Sequence, residues 1–358
     1  MKRRKLKIVS KCDGYYTNTR LYNIKMKKNI IHLFVITVLA VSIASCGNDT
    51  PTPSKPKKVE PKKEVIVPVF NQDSAYRYVK EQVDFGPRVP NSKAHAECAT
   101  YLVKKFESFG AQVIEQKFKS RSFDGKILSG VNIVASYNPD ASKRVLLCSH
   151  WDSRPFADND PDPKNHNTPI DGANDGASGV GILMEIARQI QSQPIDIGID
   201  IVLFDLEDYG QPSESDLPQV QDSWALGAQY WSKTPHIPGY RARYGILLDM
   251  VGAKDILFTK EYFSMGYASG TVEKVWQHAA KLGYDAVFQN IEAGSVMDDH
   301  VYVNKFAQIP TIDIIHHDNT TESSFFPYWH TVKDNMDAIE PSSLNIVGRV
   351  LLDVIYHE

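Results

Sequence analysis

Ile199-Asp200-Ile201-Val202-Leu203-Phe204-Asp205-Leu206-Glu207-Asp208 is a nearly unbroken β-branched and aromatic run that ends in acids. Such a composition predicts a strand buried on both faces of a parallel sheet. In an open α/β sheet ligands bind at the carboxyl ends of the strands, which puts Glu207 and Asp208 at the rim of a site. Two neighbouring acids there can divide the labour, one ligating a metal and the other moving protons. Acids also decorate helix N-termini, so the pair alone leaves both readings open.

Working outward, other predicted strands end in the same way. Arg144 to Ser149 delivers His150-Trp151-Asp152, where an acid two residues on can orient the imidazole. Tyr244 to Met250 closes with Asp249, and Val296-Met297-Asp298-Asp299-His300 is a dense ionisable cluster. Asp171-Gly172-Ala173-Asn174-Asp175-Gly176-Ala177-Ser178-Gly179 opens a helix whose buried face is Leu183, Ile186, Ala187 and Ile190. Those glycines give far more backbone constraint than an N-cap needs, as expected if Asp175 is held rigidly. The loop from Arg154 to Ile170 carries Asp158, Asp160 and Asp162 but lacks the turn glycine and terminal glutamate of a calcium loop, and reads as a solvated rim. Near the carboxyl end come a strand over Gln308 to Ile315, the loop histidines His316 and His317, and Trp329-His330.

Ahead of these, helices are expected over Ala75 to Val83 and from Asn91 or Ser92 to Phe109, then an antiparallel pair over Ala111 to Phe118 and Gly130 to Ser136. Further helices are expected around Trp224, Tyr230 and Trp231, over Ala268 to Leu282, and over Ser342 to Tyr356. The fold class is therefore α/β, with a mixed, mostly parallel central sheet flanked by helices on both faces. At 358 residues, 42% of them hydrophobic, the chain can bury a large core, and a net charge of -3 argues against nucleic acid as a partner.

The amino terminus belongs to targeting rather than fold. Lys27-Lys28 is a basic n-region, Ile30 to Ile43 is an apolar stretch too short to span a membrane, and Ile43-Ala44-Ser45-Cys46 has lipobox character. Residues 1–46 thus read as an N-terminal extension and lipoprotein signal peptide, with Met26 an alternative start and Cys46 the lipid-anchored residue on a bacterial envelope membrane. Residues 47–70, rich in Pro and Lys, read as a tether, leaving 71–358 as a single catalytic domain in the periplasm. Cys98 and Cys148 either pair there or remain buried thiols.

Two carboxylates plus an imidazole form a normal ligand set for a catalytic zinc with one open position. The succession His-x-Asp, Gly-Ala-Asn-Asp-Gly-Ala-Ser-Gly, the acidic pair, Leu-Asp-Met-x-Gly, Asp-His and Trp-His-Thr resembles the zinc exopeptidase family that includes aminopeptidases and the animal-type glutaminyl cyclases. By that resemblance Asp175, Asp208 and His330 ligate one Zn2+, Glu207 is the proton shuttle, and Asp249 and Asp298 share its proton network. His150, Trp329 and a second tryptophan, Trp231 or Trp224, would line the substrate pocket. Asp208 stands where the family more often has Glu, one methylene longer. Trp329 in place of a tyrosine, and Asp298 in place of a Ser or Thr, favour the cyclase. The implied activity is zinc-dependent cyclisation of N-terminal glutamine of peptides or proteins to pyroglutamate, with release of ammonia. A two-zinc aminopeptidase, with His150 and Asp249 on a second metal, is the alternative. A catalytically dead binding lipoprotein is the third reading, against which stands the presence of every ligand and of Glu207.

Overall fold

The computed structural model describes residues 65–318, 321 and 323–358. The signal segment, Cys46 and most of the tether lie outside the described residues.

A six-stranded sheet carries the domain, in the order β1-β2-β4-β3-β5-β8. β1 (Gln112–Arg121) and β2 (Ile127–Tyr137) form an antiparallel hairpin at one edge, and β2 pairs antiparallel with β4 (Gly198–Phe204). From β4 onward β3 (Arg144–His150), β5 (Gly245–Asp249) and β8 (Thr311–Ile315) run parallel. All seven residues of β4 are buried, as the unbroken apolar run requires. A separate parallel pair, β6 (Phe258–Lys260) and β7 (Phe288–Glu292), is too short to be legible in the sequence.

Side chains alternate across the sheet with period two. Val145, Leu147, Ile199, Ile201, Ile246 and Leu248 face the larger core, against α1 (Gln72–Val83), α2 (Lys93–Ser108), α3 (Ala177–Ser192), α5 (Tyr262–Lys281) and α7 (Pro341–Tyr356). Leu146, Cys148, Val202, Phe204 and Leu247 face the smaller one, against α4 (Leu226–Lys233), α6 (Asp299–Tyr302) and the π-helical turn Val303–Ala307. Cys98 belongs to the first core and Cys148 to the second; both are free thiols on opposite faces of the sheet, so the pairing alternative falls.

Three boundaries differ from expectation. The helix expected from Ala268 begins at Tyr262, as an additional helical stretch joined to it across a kink at Ala268 (φ -146°, ψ 39°). β8 begins at Thr311 rather than Gln308, since Pro310 cannot join a ladder with its nitrogen. The domain also begins before Asn71. Gln189 donates to the Val69 carbonyl at 2.9 Å, and the buried Phe70 ring packs on Gly348, where an added Cβ would lie 2.1 Å from it.

One buried charge pair pins the amino ends of β3 and β4. Arg144 donates to both carboxylate oxygens of Asp200, at 3.1 and 3.0 Å, and Ser136 and Tyr240 hydroxyls donate to the same carboxylate at 2.6 and 2.7 Å. Asp200→Ala should lower the unfolding free energy by about 3–5 kcal/mol, because it strands a buried guanidinium. Urea unfolding measures this; a loss below about 1 kcal/mol would mean that the Asn138 and Pro139 carbonyls satisfy Arg144 alone.

Candidate active site

The acid pair is positioned by backbone geometry before any ligand is considered. Immediately after β4, Asp205 accepts the amide N–H groups of Leu206 and Val131 at 2.8 and 2.7 Å and pairs with His95. Leu206 is left in the left-handed region (φ 58°), a conformation that costs an L-residue on the order of 1 kcal/mol or more. Asp152 then accepts the amides of Glu207 and Asp208, at 3.1 and 3.2 Å. This corrects the expectation that Asp152 orients His150. The His150 Nδ1 lies 3.6 Å from it without a hydrogen bond, and the carboxylate serves the backbone of the acid pair instead.

Asp175 is held by the glycine-rich entry to α3. Gly176 sits at φ 97°, and a Cβ there would lie 2.6 Å from the Asp152 carbonyl and 3.1 Å from the His150 ring, so only glycine lets the three segments close up. From the far end of the chain, Asp334 accepts the amides of Asn174 and Asp175 at 2.8 and 3.1 Å. His330, four residues earlier, is itself left-handed (φ 56°).

Together these constraints bring Asp175, Asp208 and His330 into one cluster whose donor atoms lie within 4.8 Å of one another. His330 Nε2 is 3.6 Å from Asp175 and 3.4 Å from Asp208. Neither carboxylate oxygen of Asp208 makes a hydrogen bond, although both are buried. Burial and the charge of Asp175 push its carboxyl up to about 6. A buried carboxylate without hydrogen bonds, beside a second carboxylate and an imidazole, is what a divalent cation would satisfy, so the donor set fits a metal.

Glu207 stands beside this cluster, buried, with its pKa raised well above the carboxylate range by burial and by Asp298, Asp208 and Asp299. His150 Nε2 lies 3.0 Å from Asp175 and 3.2 Å from Asp249, a second cluster with metal-ligand spacing. Burial disfavours the imidazolium, but Asp152, Asp175 and Asp249 together raise its pKa well above the usual value. Asp249 is pushed up to about 7 by burial, against the lowering effect of His150. Behind it Asp298, Asp299 and Asp313 are buried, and Asp298 Oδ2 and both oxygens of Asp299 and Asp313 lack hydrogen-bond partners. Carboxyls packed this way cannot all ionise, so protons are shared among them.

Residues 132–355 match the sequence profile of peptidase family M28. The chain belongs to this family. Among solved M28-like structures it is similar to a Zn-dependent exopeptidase from Parabacteroides distasonis, at 52% identity and a TM-score of 0.81, covering 82% of this chain and 100% of that one. The glutaminyl cyclase of Bacteroides thetaiotaomicron bound to N-acetylhistamine gives 51% identity and a TM-score of 0.80, again over 82% and 100% of the two chains. The glutaminyl-peptide cyclotransferase of Gloydius blomhoffii is 26% identical over 249 residues; these are 62% of this chain and span only 63% of that relative's length.

Within this M28 domain the tryptophans differ from expectation. Trp231 is fully buried in the smaller core, edge-on to Phe204 and Tyr240 with its N–H donated to His236, and it lines no substrate pocket. The half-buried Trp224, by contrast, lies beside the cluster. It is parallel to His330 at 5.8 Å, lies 4.4 Å from the Arg154 guanidinium, and fits only because Gly210 has no side chain. Trp329 lies next to the cluster, stacking on His330 at 3.9 Å. His316 and His317 lie against Phe326 and Phe325 rather than in the metal cluster.

Asp158 and Arg154 were hidden in the loop that reads as a polar rim. Fully buried Arg154 donates to both Asp158 oxygens, at 2.6 and 2.7 Å, and to the Asp208 carbonyl at 2.9 Å. Asp158 in turn lies 3.3 Å from His330 Nδ1, the nitrogen facing away from the cluster. Although burial opposes it, the pairing with Arg154 and His330 holds the Asp158 carboxyl well below its usual range. A carboxylate behind a ligand histidine fixes its tautomer and orientation. Asp158→Ala should therefore weaken divalent-metal binding by roughly 10–100-fold, measured by competition with a chromogenic chelator. Wild-type affinity in that variant would show that Trp224 and Trp329 alone orient His330.

Proposed function

We propose that this chain is a glutaminyl-peptide cyclotransferase, converting the N-terminal glutamine of peptides or proteins to pyroglutamate with release of ammonia. The observation that carries the reading is the buried carboxyl group of Asp298, whose charge acts on Glu207, beside a donor set that fits one Zn2+. The similarity to glutaminyl cyclases at about half identity supports it.

Zinc held by Asp175, Asp208 and His330 would polarise the side-chain amide carbonyl of the glutamine. Glu207, adjacent in sequence to a ligand and not needed as one, accepts a proton from the α-amine as its nitrogen bonds to the amide carbon. The same carboxyl returns the proton to the departing nitrogen, which leaves as ammonia when the carbon–nitrogen bond breaks. Asp298 and Asp249 keep a shared proton close to Glu207, so that it can gain and lose charge in a site with little water. Trp224 and Trp329 give the apolar walls for the glutamine methylenes. The five-membered ring closes without an external nucleophile.

A second reading, a two-zinc aminopeptidase, is favoured by the His150–Asp175–Asp249 cluster, whose spacing would suit another metal. The two readings separate with a glutamine-initiated and a leucine-initiated peptide, following ammonia and product mass. Ammonia release from the first with the second intact is expected, and Glu207→Gln should lower kcat by at least about 100-fold with zinc content unchanged. Release of free leucine would overturn the cyclase.

We propose further that Cys46 carries the lipid anchor and that the domain faces the periplasm, modifying exported chains. The small residues of Ile43-Ala44-Ser45-Cys46 after an apolar stretch support this. Cys46→Ala should move the protein from the membrane pellet to the soluble fraction and abolish labelling by radioactive palmitate. Labelling that survives the substitution would place the anchor elsewhere.

A further inference from the structure

A second set of metal-ligating side chains lies outside the site described above, between the carboxyl ends of α5 and α7. His278, in the last turn of α5, places Nδ1 2.5 Å from Oδ2 of Asp353, in the last turn of α7. His357, four residues beyond Asp353, places Nδ1 3.3 Å from the other oxygen, Oδ1, and 2.7 Å from the Asp353 backbone carbonyl, a hydrogen bond that a metal at Nδ1 would replace. The two imidazole rings are 5.7 Å apart, and one donor atom from each of the three residues falls within 4.8 Å of the others.

Asp353 is in an electrostatically poor position. It is 7% exposed and sits in the last turn of its helix, where the aligned peptide dipoles leave negative potential. The last turn of α5 brings a second helix carboxyl end to the same point. Two negative helix ends and a carboxylate converge, and the only fixed positive charge near Asp353 among the described residues is Lys281, whose Nζ is 3.9 Å away on a side chain 63% exposed. The place calls for a cation, and the groups lining it are metal ligands.

We infer that His278, Asp353 and His357 form a surface site for a divalent transition metal, separate from the candidate active site. Two imidazoles and one carboxylate select Zn2+ and its neighbours Co2+, Ni2+ and Cu2+ over Ca2+ and Mg2+, which require oxygen ligands. Donor atoms on a tetrahedral zinc with bonds of roughly 2.0–2.1 Å stand roughly 3.3 Å apart, so a small outward shift of Asp353 completes the set. His357 is 31% exposed, leaving the fourth position open to water or to an exogenous ligand. The metal links α5 to α7. Glu358, next to His357, pairs with Lys143 and Arg243, which precede β3 and β5. The candidate active site lies at the opposite ends of these strands, and the seven residues of β3 span roughly 20 Å.

The test counts zinc in the full chain, stripped with chelator, dialysed against Zn2+ and analysed by mass spectrometry of the metal. His278→Gln and His357→Gln should each hold one equivalent fewer than wild type, with ring-closing or peptidase turnover unchanged. His330→Gln should lose zinc from the other site and keep this equivalent, and adding His357→Gln to it should remove it. A zinc-dependent rise in melting temperature should persist in His330→Gln and vanish in the double variant. Melting temperatures in EDTA within a degree or two of wild type establish that the variants are folded. Zinc stoichiometry equal to wild type in both folded single variants would overturn the inference.

Discussion

Like charge buried without enough counter-charge is the constraint that this molecule is organised around. Asp175, Glu207, Asp208, Asp249, Asp298, Asp299 and Asp313 are all nine-tenths or more buried, where an unpaired carboxylate is costly. The basic groups facing them are the Arg154 guanidinium and the imidazoles of His150, His300 and His330. Three remedies exist in such a place: a proton, a metal ion, or backbone N–H groups. The protein distributes its acids among them. Asp152, Asp205 and Asp334 take amide donors and hold loops, Asp208 lies near Arg154 and His330 but accepts no hydrogen bond and is left to a metal, and Asp298 Oδ2 with both oxygens of Asp299 and Asp313 is left to shared protons.

That distribution explains why the fold tolerates strain where it does. Leu206, Met250 and His330 are all in the left-handed region, each within one residue of an acid or imidazole of the site or itself one. Relaxing any of them would swing a charged side chain into apolar packing. Buried carboxylates accepting two amides each, Asp152, Asp205 and Asp334, oppose that relaxation. Arg154 performs the same service from the loop side, because one guanidinium ties the Asp158 carboxylate behind His330 to the backbone of Asp208. The candidate ligands are therefore held by groups that do not themselves ligate.

How much of this was legible follows from which physical signal each residue leaves in a sequence. Strand β4 and its acids were legible because burial on both faces forces an unbroken apolar run, and the glycines around Asp175 because close backbone approach forces their use. Trp231 and Trp224 show the limit. Composition reports an aromatic residue but not which side of the sheet it faces, and Trp231 is turned toward Phe204 while Trp224 precedes the helix and folds over Arg154. Asp158 was lost among other polar loop residues. Asp313 does leave a sign in the sequence: a single acid inside Thr311-Ile312-Asp313-Ile314-Ile315 cannot be solvated there, and must belong to a buried network.

The same accounting bears on how many metals the candidate site can hold. Asp175 is common to both clusters, and Asp249 lies between the second cluster and the proton-sharing acids. A second dication at His150 would draw Asp249 into coordination and favour its ionised form, as well as that of the acids behind it. Glu207 would then lose the neighbour that shares a proton with it. Asp152, Asp175 and Asp249 raise the His150 pKa and favour its charged form, whereas a metal there would need the neutral imidazole. Protonation of His150 and a second metal are thus alternative answers to one excess of negative charge.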